Sequence, residues 1–244
     1  VLTVYTNAEF PPFEYMSDNT PVGVDMQIAQ AIADEIGVKL EIKNVKFDTI
    51  LSSVNSGKGS MGIAGISVTE ERAQEVDFSI NYATSKQYII LPQDSEVTKI
   101  EDLAGMSIGV QLGTTGDIIV SEEISGTEDE ETKEHIQGVL EGTGASVTQY
   151  NSAADAAVAM NSGKVDAVVI DKLPAEIVAS QYENFKAIEL VYADGQNTEE
   201  SYAVCVAKGN QELLDVVNQV IERLIDDGTI DEWITDHTMQ ASES

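Results

Sequence analysis

The sequence predicts an α/β protein built from two similar lobes, and three observations carry that prediction. Strand-like and helix-like periods alternate along the chain, one helix–turn–strand unit occurs twice, and 244 residues with 42% hydrophobic content suffice for one large domain or two small ones. Alternation of this kind predicts a mainly parallel sheet.

The first strand is read over Leu2–Thr6, where side chains alternate. Ile28, Ala29, Ile32, Ala33 and Ile36 share one helical face, and Gly37 follows as a C-cap. Leu40–Ile42 resumes as strand, and Phe47–Asn55 returns to helical spacing. Ser107–Gln111 is a further strand, followed by Leu112-Gly113-Thr114-Thr115-Gly116-Asp117. Backbone N–H groups of that loop could hold an anion near a helix start, although a plain strand–helix turn is the simpler reading of the loop by itself. No Gly-Lys-Ser/Thr follows, so it is not a Walker-type phosphate loop. Ser121–Ala145 reads as a solvated helical excursion; its acidic run Glu128-Asp129-Glu130-Glu131 lacks the glycine and spacing of an EF-hand. Leu213, Leu214, Val217, Ile221, Leu224 and Ile225 make a long amphipathic helix ended by Gly228, and the residues beyond read as a tail.

Asn55-Ser56-Gly57-Lys58 follows a helix and leads into Met61-Gly62-Ile63-Ala64-Gly65. Asn161-Ser162-Gly163-Lys164 does the same before Val165–Asp171. Gly stops each helix and Lys faces its negative end. The same distance beyond each Lys lie Gly65 and Asp171, at the carboxyl ends of their strands, where open α/β sheets bind ligands.

The formal net charge is -30, from 43 Asp+Glu against 13 Lys+Arg. Such a balance opposes binding to nucleic acid or to anionic lipid through a basic patch. Only two of the cations are arginines. Arg223 sits on the amphipathic C-terminal helix. Arg72 follows an apolar run, and its planar fork suits a carboxylate. Position alone leaves two readings open: an anion receptor, or an ion pair with Glu70, Glu71, Glu75 or Asp77. Cys205, the single cysteine, lies in an apolar run and reads as a small buried hydrophobe. His135 and His237 lie far apart in the chain, so no catalytic triad or zinc cluster is assembled. No run reaches the ~18 apolar residues of a membrane helix. A chain that opens on Val1 without Met reads as processed or trimmed.

Taken together, several segments resemble the periplasmic-type solute-binding proteins for polar amino acids, the capture subunits of ABC importers. They are Thr6–Tyr15, Val22-Gly23-Val24-Asp25, Ala64–Arg72 with Val76–Ser79 behind it, Gly109–Thr115, Val168–Asp171, Tyr202–Lys208 and Asp227–Ile230. They keep the family's order over nearly the whole chain.

The resemblance implies two Rossmann-like lobes joined by a two-segment hinge, the type II periplasmic binding protein fold. Lobe one would be 1–87 plus 201–244, lobe two 90–197, with hinge segments near 87–91 and 197–202. It further implies that Arg72 and the N–H groups of Ser67 and Thr115 hold the ligand's α-carboxylate. Asp171, the Gly65 carbonyl and the Ser67 hydroxyl would hold its α-ammonium. Phe10 and Phe47 would sandwich the side chain, Asn7, Glu9 and Gln111 would line its far end, and Ile66 and Thr114 complete the set. Phe13 is assigned to the core. Asn7 stands where relatives often carry an acid, and an amide both donates and accepts. The implied protein is a monomer outside the cytoplasmic membrane, free or lipid-anchored, delivering a polar amino acid to an ABC permease, without cofactor, metal or catalysis. The same module could instead serve as a receptor's sensing domain or, rarely, as a dehydratase.

Overall fold

The computed structural model describes residues 1–129 and 131–243. It is a mixed α/β protein that divides into two compact units, Val1–Ser85 with Glu200–Ser244, and Lys86–Glu199. The chain therefore passes between the units twice.

The first unit holds a five-stranded sheet in the order Leu40–Asn44, Leu2–Thr6, Met61–Gly62, Cys205–Ala207, Val76–Phe78. The first three strands are parallel, and the last two pair antiparallel. The second unit repeats the order: Ser146–Tyr150, Ser107–Gln111, Ala167–Asp171, Ala83–Pro92, Phe185–Glu189. Again the first three strands are parallel, and the fourth pairs antiparallel with both its neighbours. The sheets are thus mixed rather than mainly parallel. In each, the fourth place is taken by a strand arriving from the far crossing, which enters from the opposite direction.

The repeated turn is the same at atomic level. Gly57 and Gly163 both adopt φ +73°. Gly57 N–H donates to the Val54 carbonyl and Lys58 N–H to that of Ser53, 3.0 and 3.1 Å. Gly163 and Lys164 repeat this with Met160 and Ala159, 3.0 and 2.9 Å. These are two Schellman caps, and a left-handed residue at that position is why glycine stands there twice.

Three readings change. Phe47–Asn55 is a 3₁₀ turn, Phe47–Thr49, followed by the helix Ile50–Asn55. The excursion is not helical: the helix Thr115–Ser125 stops before Gly126, and a small antiparallel hairpin pairs Thr127–Glu128 with His135–Ile136. Asp129 builds its turn, its carboxylate accepting from the N–H groups of Glu131 and Thr132 at 3.0 and 2.7 Å. Glu130 of the acidic run lies outside the described residues. The residues after Gly228 are a helix, Thr229–Ser242. It buries Ile230, His237 and Ala241, a spacing the sequence carries in plain view.

Apolar packing sits under both sheets. Ile50, Val54, Ala64, Ile66, Val76 and Cys205 form a cluster in the first unit. Cys205 is fully buried, which pushes its thiol up to about 12 and removes it as a nucleophile at neutral pH. No helix among the described residues is long and apolar enough to cross a membrane.

Candidate functional site

The site residues read from the sequence gather at the carboxyl ends of the parallel strands, separately in each unit. In the first unit Asn7 follows Leu2–Thr6, Phe47 lies three residues beyond Leu40–Asn44, and the Gly65–Ser67 loop follows Met61–Gly62. Gly65 is therefore not at the strand end itself, since that strand is only two residues long and the chain bends after it. In the second unit Gln111 and Asp171 are the last residues of their strands, and Thr114 and Thr115 open a helix.

Arg72 is 7% exposed, unusual for a residue type rarely buried without a purpose. Thr69 starts its helix, its hydroxyl accepting from Arg72 N–H at 3.1 Å. The guanidinium turns back over the loop, where Nη1 donates to the Ser67 carbonyl at 2.8 Å and Cζ stands 5.6 Å from the centroid of the Phe47 ring. Glu70, Glu71 and Glu75 are exposed on the same short helix, and Asp77 accepts from Lys208 and from Gly209 N–H. These four acids, the neighbours of Arg72 in the chain, thus face solvent or serve other groups.

Gly65 takes φ +52°, and an added Cβ would sit 2.6 Å from Phe10 Cε1. Glycine alone allows both the backbone and the close approach of that ring. Phe10 is itself buried against Phe13 and Tyr202, with centroids 6.0 and 6.2 Å apart. Phe13 is 2% exposed and edge-on to Tyr202 at 5.0 Å, so it belongs to the core. Asn7 Nδ2 donates to the Val45 carbonyl at 2.8 Å, tying two strand ends together. A carboxylate could not make that bond, which gives a physical reason for the amide here. Glu9 is exposed.

Sequence reasoning missed two acids behind this loop. Asp25, fully buried in the first turn of the helix Val24–Ile36, accepts from Gly65 N–H at 2.9 Å and Tyr82 Oη at 3.0 Å. Burial pushes its carboxyl up to about 6, opposed by hydrogen bonds from Glu14, Gly65 and Tyr82. Asp25 lay inside a quoted motif, yet a tertiary partner forty positions away leaves no local trace. Glu200, half-buried, accepts the Ser67 hydroxyl. As one acid among 43 it carried no signal of its own.

In the second unit the loop after Ser107–Gln111 is closed by its own helix. The Thr114 hydroxyl caps Asp117 N–H and donates to the Gln111 carbonyl at 2.8 Å. Asp117 is 5% exposed; it accepts from Gly113 N–H at 2.9 Å, Ser121 Oγ at 3.1 Å and Gln149 Nε2 at 2.9 Å. The N–H groups of Gly113 and Thr114 are used inside the loop, the latter on Gln111 O at 3.3 Å. Asp171 is 4% exposed and starts the helix Lys172–Ser180 without capping it through its side chain.

Each histidine is hydrogen-bonded within its own unit. His135 lies 2.8 Å from Glu141 on the hairpin. His237, expected in a tail, is buried on the last helix between Tyr15 Oη at 2.9 Å and Gln27 Oε1 at 3.1 Å, and burial lowers its pKa. No metal-binding group of His, Cys, Asp and Glu occurs among the described residues.

Residues 2–239 match the model of the bacterial extracellular solute-binding proteins, family 3. The chain belongs to this family. As a family 3 solute-binding protein it is similar to the arginine-binding extracellular protein ArtP of Bacillus subtilis, with 26% identity over 96% of this chain and 86% of the relative. Among solved structures it resembles an amino acid ABC transporter substrate-binding protein of Streptococcus pneumoniae bound to L-arginine. The TM-score is 0.84 and the identity 31%, over 99% of this chain and 95% of that one. An ancestral arginine-binding protein bound to glutamine aligns with TM-score 0.79 and 35% identity, over 95% and 94% of the two chains. The family is one of extracellular proteins that bind solutes.

Proposed function

We propose that this protein captures a polar L-amino acid outside the cytoplasmic membrane and delivers it to an ABC transporter permease. Its ligand is an amino acid with a cationic or amide side chain, and arginine is the first candidate. The observation that carries this reading is Arg72: a buried guanidinium, set on a strand-end loop by a backbone carbonyl and an aromatic face. That arrangement suits two parallel bonds to a carboxylate.

In this reading Arg72, with the N–H groups of Ser67 and Thr115, takes the α-carboxylate. Asp171, the Gly65 carbonyl and the Ser67 hydroxyl take the α-ammonium. Phe10 and Phe47 cover the side chain, Ile66 and Thr114 border it, and Asn7, Glu9 and Gln111 receive its polar end. Opposite charges on the two units give a zwitterion a differential affinity for the closed form, which is what drives closure about the two crossings. The protein releases its ligand unchanged. It acts as a monomer, either secreted or held at the cell surface by a lipid.

A thermal-shift screen of the twenty L-amino acids, followed by calorimetry on those that bind, tests the reading. A ligand at a hundred times its Kd raises stability by about 2.7 kcal/mol. Arginine or another polar amino acid is expected to lift the melting temperature. No shift with any amino acid would overturn it.

A further inference from the structure

The amino-acid reading assigns the ammonium end of the ligand to Asp171, the Gly65 carbonyl and the Ser67 hydroxyl. Glu200 stands behind that hydroxyl, held there by backbone pairing rather than by chance. Ser67 and Tyr202 form an antiparallel bridge. Val68 N–H donates to the Ser201 carbonyl at 3.0 Å and Ala203 N–H to that of Ile66 at 3.1 Å. Tyr202 is fully buried against Phe10, Phe13 and Tyr82, so the segment is anchored on both sides of the ladder. Two residues before Tyr202, Glu200 Oε2 accepts Ser67 Oγ–H at 2.5 Å.

A serine hydroxyl has one hydrogen and two lone pairs. With its hydrogen on Glu200, Ser67 Oγ meets a ligand as an acceptor, so the ligand group there must be a donor. A nitrogen bonded to Ser67 Oγ at an ordinary ~2.9 Å lies within about 5.5 Å of Glu200 Oε2. At that range a half-buried carboxylate still acts on a cation, since salt screens fully only beyond about 8–10 Å.

We infer that Glu200 is a further ligand-site residue: a second carboxylate for the α-ammonium, acting through space and by orienting Ser67. A carboxylate at that end of the site disfavours an acidic side chain on the ligand and favours a cationic one.

The inference rests on the amino-acid reading, and calorimetry with L-arginine and L-glutamine separates the two. If the wild-type protein binds neither these nor any other amino acid, the reading itself fails. If it binds, Glu200→Gln keeps an acceptor for Ser67 and removes only the charge. Its Kd for L-arginine is expected to rise roughly tenfold, with a flatter dependence on salt concentration, while the ligand-free melting temperature stays near that of wild type. Wild-type affinity and salt dependence in Glu200→Gln, with a loss confined to Glu200→Ala, would show orientation of Ser67 alone and overturn the role of the charge.

Discussion

Each unit pins a glycine N–H of its candidate ligand loop to a buried aspartate in the first turn of a helix, and the two do so over very different spans. In the second unit Asp117 reaches back four positions to Gly113. In the first, Asp25 reaches forty positions to Gly65. The local device is a helix cap extended by one side chain, and it would be read from any Gly-Thr-Thr-x-Asp stretch. The long-range device binds the loop to a separate helix and exists only once the sheet has formed. The loops after Met61–Gly62 and after Ser107–Gln111 are therefore built differently. The first is the one that carries the guanidinium.

The largest expected effect comes from deleting the charges that these loops present. Arg72→Ala and Asp171→Ala are each expected to weaken amino-acid binding by about 2–5 kcal/mol, because the ligand's opposite charge is left without its partner. Calorimetry measures this, and the two folds should survive. An affinity within twofold of wild type in either variant would remove that residue from the site.

Next in size is Asp117→Ala, which sharpens the contrast between the devices. Gly113 N–H, Ser121 Oγ and Gln149 Nε2 all lose an acceptor. A buried donor left without a partner costs about 1–3 kcal/mol, so the variant should be destabilised by about 2–3 kcal/mol in denaturant melts. Its Gly65 loop, which belongs to the other unit, should keep its hydrogen-exchange protection. A loss of protection at Gly65 and Ser67 equal to that at Gly113 would show that the loops are not independently built.

This division also explains what could be read from the sequence. The periods over Leu2–Thr6, Ile28–Ile36, Ser107–Gln111 and Leu213–Ile225 and the two Gly-Lys turns are local patterns, and each appears in the fold where its spacing put it. The last helix was legible too, from Ile230, His237 and Ala241, once its residues are counted as a helix and not as a tail. Asp25 and Glu200 were not, because their roles are defined by Gly65 and Ser67, residues distant in the chain. Nor did composition show that the acidic stretch after Ser125 folds as a hairpin. There the Asp129 side chain satisfies backbone donors, a preference for turns that outweighs helical propensity. The antiparallel strands escaped for a related reason: their direction is set by where the chain crosses, not by their own residues.

The smallest effect separates the two devices by pH. Asp25 has its carboxyl raised from 3.8 to about 6, chiefly by burial. The folded state then holds a proton through a range where the unfolded chain has lost it. Stability from this group is fully present below about pH 4 and is lost as pH rises through 6. Between pH 7.5 and 5.5 wild type should gain about 1 kcal/mol from it. His237 works in the opposite direction, since burial lowers its pKa and acid favours the unfolded chain. The comparison that isolates Asp25 is therefore wild type against Asp25→Asn, which keeps an acceptor for Gly65 N–H and leaves His237 in place. Glu14 and the Tyr82 hydroxyl face Asp25 in both proteins. The wild-type advantage over the variant should grow as pH falls from 7.5 to 5.5 in urea melts. Parallel curves would mean that the proton is not held at Asp25, and the first unit's loop would then be pinned in the same manner as the second's.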